Sequence, residues 1–474
     1  MNSTQQNSFD TLVVGGGIAG LQSALDLADQ GYKVAVIEKD ASIGGKMIRL
    51  SKVFPTLDCA SCITTPKMAS AAHHDNITLF TRCNLNSLNS IEIKGSSSNN
   101  SQGKISTSSG SQDKTAPSSG CHGKGSSGVT ASITQMPRYV DADKCIGCRK
   151  CEYVCPVYRP DPEQGGFSAT KAISIPFSNA IPQLAVLEPE YCMLCGQCEK
   201  VCPTQAIDYF QKPETFTLSA KTAIIATGFE MTPLKNKVQY GCGEIPNVID
   251  ALQMERLLAP HGPFNRVLRP WDGMEPDSIA YIQCAGSRDK SMGVSYCSRV
   301  CCMYAIKQAM LLAGALPLAD VTIYYMDIRA FGKGYEQFYQ NAKAMGIEFI
   351  KGKVARIDGG DNGSAIVRFE NQQDGTITEN THDLVVLSLG MTPGWNPNGI
   401  CPVSTAEDRF ITSIQPKMSP VLTTMEGVFV TGAAAGPKDI VDTITESGSA
   451  AMEAARYMTA KGQMANATSN GAAA

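Results

Sequence analysis

The 474-residue chain has no uninterrupted apolar run near the ~20 residues that a membrane-spanning helix needs. Its first ten residues, Met1 to Asp10, are polar and lack the apolar core of a signal peptide. Charge is sparse, at 18% of residues, and nearly balanced, with 41 basic and 44 acidic side chains and a net charge of −3. That balance excludes a basic nucleic-acid footprint and gives no reason to expect an anionic membrane partner. No repeat of solenoid type is present. These absences predict a soluble, cytoplasmic protein of two to four domains, at ~100–200 residues each.

Cysteine is abundant, with 18 residues. In a reducing compartment that number points to metal or redox chemistry and not to disulfides. The spacing decides which.

Residues 11–38 read as strand, turn, helix and strand. Thr11 to Val14 is apolar, Gly15-x-Gly17-x-x-Gly20 follows, Leu21 to Gln30 has helical periodicity, and Val34 to Ile37 ends at Glu38 and Lys39. This is the dinucleotide fingerprint in its required context. The glycines let the backbone approach a pyrophosphate at the helix N-terminus, and Glu38 is placed to accept ribose hydroxyls. A tight βα turn without a ligand is the competing reading. Three further stretches favour FAD over NAD: Ile43-Gly44-Gly45-Lys46, Ala226-Thr227-Gly228, and Val430-Thr431-Gly432. In two-dinucleotide-domain flavoproteins the last motif usually continues with Asp; here it continues with Ala433.

Cys145-x-x-Cys148-x-x-Cys151-x-x-x-Cys155-Pro156 is followed by Cys192-x-x-Cys195-x-x-Cys198-x-x-x-Cys202-Pro203. This is the bacterial two-[4Fe–4S] pattern, in which the fourth cysteine of each run crosses to the other cluster. One cluster is therefore assigned to Cys145, Cys148, Cys151 and Cys202, the other to Cys192, Cys195, Cys198 and Cys155. Zinc knuckles, the competing reading, use separated CxxC pairs.

A second set, Cys284, Cys297, Cys301 and Cys302, falls where a nicotinamide domain would carry its glycine loop. The strand Ile279 to Gln283 runs into Cys284-Ala-Gly-Ser-Arg288, so the phosphate cradle is missing. Four thiols in so short a span predict a third [4Fe–4S] cluster, with buried free cysteines as the alternative. Cys59-Ala-Ser-Cys62 reads equally as a bare pair, a redox disulfide or half of a partner-completed metal site. Cys83, Cys121, Cys242 and Cys401 are read as bystanders.

The sequence closely resembles HdrA, the A-type subunit of heterodisulfide reductase, and its HdrA-like relatives, over roughly residues 10–460. The stretches that carry the likeness include Phe54-Pro-Thr-Leu-Asp-Cys-Ala-Ser-Cys62, Pro137-Arg-Tyr-Val-Asp141, Gln283-Cys-Ala-Gly-Ser-Arg-Asp289, Tyr296-Cys-Ser-Arg-Val-Cys-Cys-Met-Tyr304 and Gly436-Pro-Lys-Asp-Ile440. The resemblance implies an α/β, thioredoxin-reductase-like FAD fold of two Rossmann-like domains with an inserted α+β ferredoxin domain. It also implies a cluster beside the flavin, held by the Cys284–Cys302 set, and a lysine near the isoalloxazine, here Lys307. Family members of full length carry an extra N-terminal domain and a C-terminal ferredoxin module, for which this sequence has no counterpart.

The expected segments are 1–94, first part of the FAD domain; 95–135, a Ser/Gly-rich flexible insertion with re-entry into a strand at Val129 to Thr134; 136–212, the ferredoxin domain; 213–270, FAD domain continued; 271–390, the second Rossmann-like domain; and 391–474, the end of the FAD domain and a frayed tail. The expected function is that of an oxidoreductase component passing electrons between FAD and clusters, with flavin-based electron bifurcation as one mode. Expected partners are B- and C-type heterodisulfide reductase subunits, a donor such as a hydrogenase or formate dehydrogenase, and a second copy of the chain. The alternatives are an NAD(P)H-dependent disulfide reductase using Cys59 and Cys62, a quinone-linked electron relay, and an iron–sulfur scaffold with a vestigial nucleotide site.

Overall fold

A computed structural model describes residues 8–93, 126–233 and 237–471. Most of the Ser/Gly-rich stretch, including Cys121, lies outside them.

The first sheet is built on Ser8–Val14, whose apolar half is buried on both faces. It pairs in parallel with Val34–Ile37, which pairs with Ile77–Phe80, and on its other side with Glu214–Ile225. Strands buried on both sides read as continuous apolar runs, as Val34 to Ile37 does. Glu214–Ile225 changes character along its length. Its first half alternates exposed and buried residues and pairs antiparallel with Ser126–Gln135. Its last four residues are fully buried, and this second half pairs in parallel with Val428–Val430. Helix Ile18–Ala28 and the C-terminal helix Ile440–Gly471 cover one face, where Leu21, Ala24 and Ala28 share a core with Ala450, Ala451 and Ala454.

The second sheet has the order Val248–Asp250, Leu384–Leu387, Ser278–Ile282, Asp320–Tyr325 and Glu348–Gly359, all parallel. An antiparallel meander of Ala365–Asn371 and Ile377–His382 extends it. A short antiparallel pair, Phe229–Met231 with Met391–Pro393, marks where the chain crosses between the two units.

The ferredoxin insert leaves the first sheet after Gln135 and returns at Glu214, and these two residues are paired neighbours. It contains two short helices, Lys150–Val154 and Gln197–Val201, and two small hairpins. Val140, Ile173, Leu187 and Ala206 form its core.

Three expected boundaries change. The flexible stretch does not reach residue 135: Ser126–Gln135 is a strand, because Val129, Ala131 and Ile133 alternate inward at full burial. The second unit begins earlier than residue 271. Val248–Asp250 joins its sheet, and helix Ala251–Leu258 packs beneath it through Met254 and Leu257, with Asp250 and Gln253 forming a capping box. The C-terminal helix starts at Ile440, and its Ala-rich end stays helical to Gly471 where a frayed tail was expected. Among the described residues no helix is long and apolar enough to cross a membrane.

Candidate flavin and thiol sites

A cavity of about 490 Å³ opens at the carboxyl ends of the first sheet's strands. That is the size range of small-ligand sites. Gly15, Gly17, Glu38, Lys39, Gly45, Lys46, Ala226, Thr227 and Gly228 all line it. Gly20 and Gly432 stand behind the wall, and Ala433 faces it. A Cβ at Gly20 would sit 1.8 Å from the Gly15 carbonyl oxygen, so Gly20 is what lets the helix start against the turn. A Cβ at Gly17 would meet only the Gly45 Cα, at 3.9 Å, and would otherwise project into open space. That open cradle at the N-terminus of Ile18–Ala28 fits a pyrophosphate.

Glu38 is 6% exposed. One of its oxygens accepts the Gly16 N–H at 2.6 Å and the other the Asp40 N–H at 2.9 Å. Burial, reinforced by the Asp40 charge, pushes its pKa up to about 7. Glu230 draws Lys46 (2.8 Å) and Lys39 (3.4 Å) together at the cavity wall. The Gly432 N–H donates to Glu446 at 2.7 Å, and Glu446 also holds Lys438, which lines the cavity near Ala433.

Farther along the wall lie Tyr304, Lys307 and Gln308, all from helix Cys301–Ala315. Lys307 is buried and paired with Glu255, and its Nζ donates to the Lys52 carbonyl at 2.9 Å. Glu255 also accepts from Ser51 N–H (2.9 Å), Ser51 Oγ (2.6 Å) and Gln308 Nε2 (2.5 Å). Burial lowers the pKa of Lys307; it raises that of Glu255, but the ammonium and its neighbours hold Glu255 below the usual range. Sequence reasoning missed Glu255, because a charged residue inside Met254-Glu-Arg-Leu257 reads as a solvated helix face.

In the insert, Cys155, Cys192, Cys195 and Cys198 line one small cavity together with Tyr209. The Tyr209 hydroxyl lies 3.2 Å from the Cys198 sulfur. Cys151 is pushed up to about 12 by burial, with the neighbouring Cys145, Cys198 and Cys148 adding to it. Cys202 caps the helix Gln197–Val201 and accepts the Ala206 N–H at 3.2 Å. Among the described residues no three His, Cys, Asp or Glu side chains converge closely enough to hold a single ion.

The remaining thiols influence one another electrostatically. Cys302 is pushed up to about 12 by burial and by Cys284 and Cys297; Cys301 rises further for the same reasons, with Cys302 beside it. Cys301 donates to the Leu389 carbonyl at 3.4 Å, and Cys297 accepts the Arg299 N–H at 3.3 Å. Metal binding inverts this preference for the neutral thiol, since ligated cysteines are deprotonated. Cys59 and Cys62 lie outside the cavity wall; Cys59 caps helix Ala60–His73 and accepts the Cys62 N–H at 3.2 Å.

Residues 10–58 match the FAD dependent oxidoreductase family, and residues 144–206 match the 4Fe-4S dicluster domain family. The A-type subunit of the ferredoxin/F(420)H(2)-dependent CoB-CoM heterodisulfide reductase of Methanosarcina acetivorans is 40% identical over 94% of this chain and 52% of its own length. The A-type subunit of the H(2)/formate:CoB-CoM heterodisulfide,ferredoxin reductase of Methanococcus maripaludis is 42% identical over 93% of this chain and 63% of its own length. The chain is an HdrA homologue. It spans between about half and under two thirds of the length of the curated relatives it matches. Thioredoxin reductase of Lactococcus lactis shares the fold, with a TM-score of 0.50 at 14% identity, over 95% of this chain and 99% of that one. A thioredoxin-reductase-like FAD-binding fold carrying a 4Fe-4S dicluster domain is thus the fold class of this HdrA homologue.

Proposed function

We propose that the chain is the electron-transferring flavo-iron–sulfur component of a heterodisulfide-reductase-like complex. FAD would occupy the 490 Å³ cavity, and two [4Fe–4S] clusters would sit in the insert. Cys284, Cys297, Cys301 and Cys302 would hold a third. The observation that carries this reading is the helix Cys301–Ala315. Its first turn supplies two of these thiols, and its next turns supply Tyr304, Lys307 and Gln308 to the cavity wall. Leu389, also in that wall, accepts both the Cys301 thiol and, at 2.7 Å, the Tyr304 hydroxyl. A cofactor in the cavity and a cluster on these cysteines would be neighbours across one helical turn.

The residues fit FAD. Gly17 leaves room for the pyrophosphate, and Glu38 offers ribose hydroxyls a carboxylate at the end of its strand. When bound, FAD exchanges electrons in pairs or singly, and the clusters carry them one at a time. The chain orients and insulates. Buried Lys307 would keep a cation beside the part of the cavity that the isoalloxazine would occupy, where it would favour added negative charge. Glu255 fixes that cation in place, and Val300 and Leu389 exclude water beside it.

The names of the A-type relatives specify ferredoxin, F(420)H(2), H(2) or formate. By that analogy B- and C-type subunits, a hydrogenase or formate dehydrogenase and a second copy of the chain are the proposed partners, in the cytoplasm. The test is iron, acid-labile sulfide and FAD per chain in protein purified without oxygen. About 12 iron with one FAD is expected, at four iron per cluster. About eight iron would leave the Cys284–Cys302 set bare, and flavin without any cluster would overturn the reading. Potentials then separate a relay from pair-splitting between a high- and a low-potential acceptor.

A further inference from the structure

The insert is tied to the flavin-binding unit by a buried cation. Arg138 opens the insert and is only 7% exposed. Its Nη2 donates to the Ala41 carbonyl (2.7 Å) and the Thr81 hydroxyl (2.6 Å), both in the flavin-binding unit. Its own carbonyl accepts the N–H of Leu187, in the core of the insert. Its Nη1 is buried and has no hydrogen-bond partner among the described residues. Leaving a buried charged donor unmade is costly, and native folds rarely do so without a use for it.

Two cysteines bear on this guanidinium. Cys83 lines the flavin cavity, and its thiol donates to the Thr81 carbonyl at 3.5 Å. Cys145 opens the first cluster motif and packs against the same insert core as Leu187, whose N–H the Arg138 carbonyl accepts. Burial, reinforced by the Arg82 charge, brings the Arg138 pKa down to about 10, while Cys83 and Cys145 oppose that fall. The neighbouring Arg82 is paired with Glu188 at 3.3 Å, whereas Arg138 has no carboxylate partner among the described residues. Its charge is therefore free to act on the cluster site.

We propose that Arg138 is a positioning residue for electron transfer: its unpartnered N–H is reserved for a sulfur of the cluster on Cys145, Cys148, Cys151 and Cys202. The inference rests on the proposed presence of that cluster. A hydrogen bond and a cation at a cluster sulfur favour the reduced, more negative form. They act strongly in a buried site of low dielectric. The cluster next to Arg138 would thus be the easier of the insert's two to reduce.

The test is an anaerobic redox titration of the whole chain, followed by electron paramagnetic resonance, in wild type, Arg138→Gln and Arg138→Lys. In Arg138→Gln, one insert cluster is expected to become about tenfold harder to reduce, a shift of about 59 mV for one electron. The other insert cluster and the cluster on Cys284–Cys302 stay where they were. Arg138→Lys keeps the charge without the planar fork and shifts the same cluster by less. Unshifted insert clusters at full iron content, or an equal shift of all three, would overturn the proposal. Should Arg138→Gln lose iron, Arg138→Lys decides, and an unmoved potential there overturns it. A wild-type insert without iron overturns the cluster reading itself.

Discussion

Glu38 ties cofactor binding to pH. Its folded pKa of about 7 stands above the ordinary carboxylate value because burial penalises the charge. By linkage, its contribution to the stability of the empty fold is complete at low pH and is lost as pH rises through about 7. Ribose hydroxyls that donate to the carboxylate reverse that cost, so FAD should bind more tightly as pH rises through the same window. Flavin fluorescence released on dilution should therefore grow below about pH 7, approaching tenfold weaker binding per pH unit. Glu38→Gln, neutral throughout, should bind weakly with a flat profile. A wild type as flat as the variant would detach Glu38 from the cofactor. The Lys307–Glu255 pair behaves differently, since removing one partner leaves the other as an uncompensated buried charge. Lys307→Met should cost roughly 3–5 kcal/mol, and Lys307→Met with Glu255→Met together should cost much less. A double-mutant cycle on the melting of the flavin-binding unit checks this; additive losses would deny the coupling.

The strand–turn–helix at Ser8–Ala28 separates folding from binding at neighbouring glycines. Gly20 serves the turn itself, whereas a side chain at Gly17 enters only the cradle. Gly17→Val should keep wild-type circular dichroism and full iron while losing most of its FAD. Gly20→Ala should disturb the turn and lower the melting temperature as well. Equal flavin content in Gly17→Val and wild type would place the pyrophosphate elsewhere. Elements of this kind were legible in the sequence because their chemistry fixes residue spacing: three glycines in a turn, or four cysteines in a run. The Cys284–Cys302 set was legible as four closely spaced thiols replacing an expected phosphate loop, and its place beside the flavin was implied by the family resemblance; helix Cys301–Ala315 links two of these thiols to the cavity wall. Other elements were hidden for physical reasons. Of Ser126–Gln135 only the stretch Val129 to Thr134 was legible, because the rest of the strand lies within a Ser/Gly-rich composition. Val248–Asp250 gains its place by pairing with Leu384–Leu387, a long-range register with no local signature. Glu255 and Arg138 owe their environments to packing against other segments, so neither was distinguishable from a surface charge.

Across the molecule, the insert is grafted where it does least harm to the first sheet. Gln135 and Glu214 are paired neighbours on adjacent antiparallel strands, so a short hairpin turn can join them. Side chains nevertheless clamp the insert to both nucleotide-binding-type units. Arg49 holds Glu163 at 2.7 Å, Asn179 donates to Thr65 at 2.6 Å, and Gln253 donates to the Gly165 carbonyl at 3.0 Å. With Arg138 these contacts fix the distance between the cluster motifs and the cavity, which a relay by electron hopping needs and a tethered, swinging domain would not supply. Slow hydrogen exchange across the Ser42–Ile181 and Arg138–Thr81 contacts should accompany that rigidity. Replacing residues 136–213 by a two-residue turn therefore tests the division of labour directly. The first sheet and the second unit retain their own cores, so the shortened chain should keep FAD and about four iron, on Cys284, Cys297, Cys301 and Cys302. Its flavin should still exchange electrons with that cluster but deliver none beyond it. Loss of all iron in a chain that still binds FAD would mean that every cluster depends on the insert, and that the thiols of helix Cys301–Ala315 hold none.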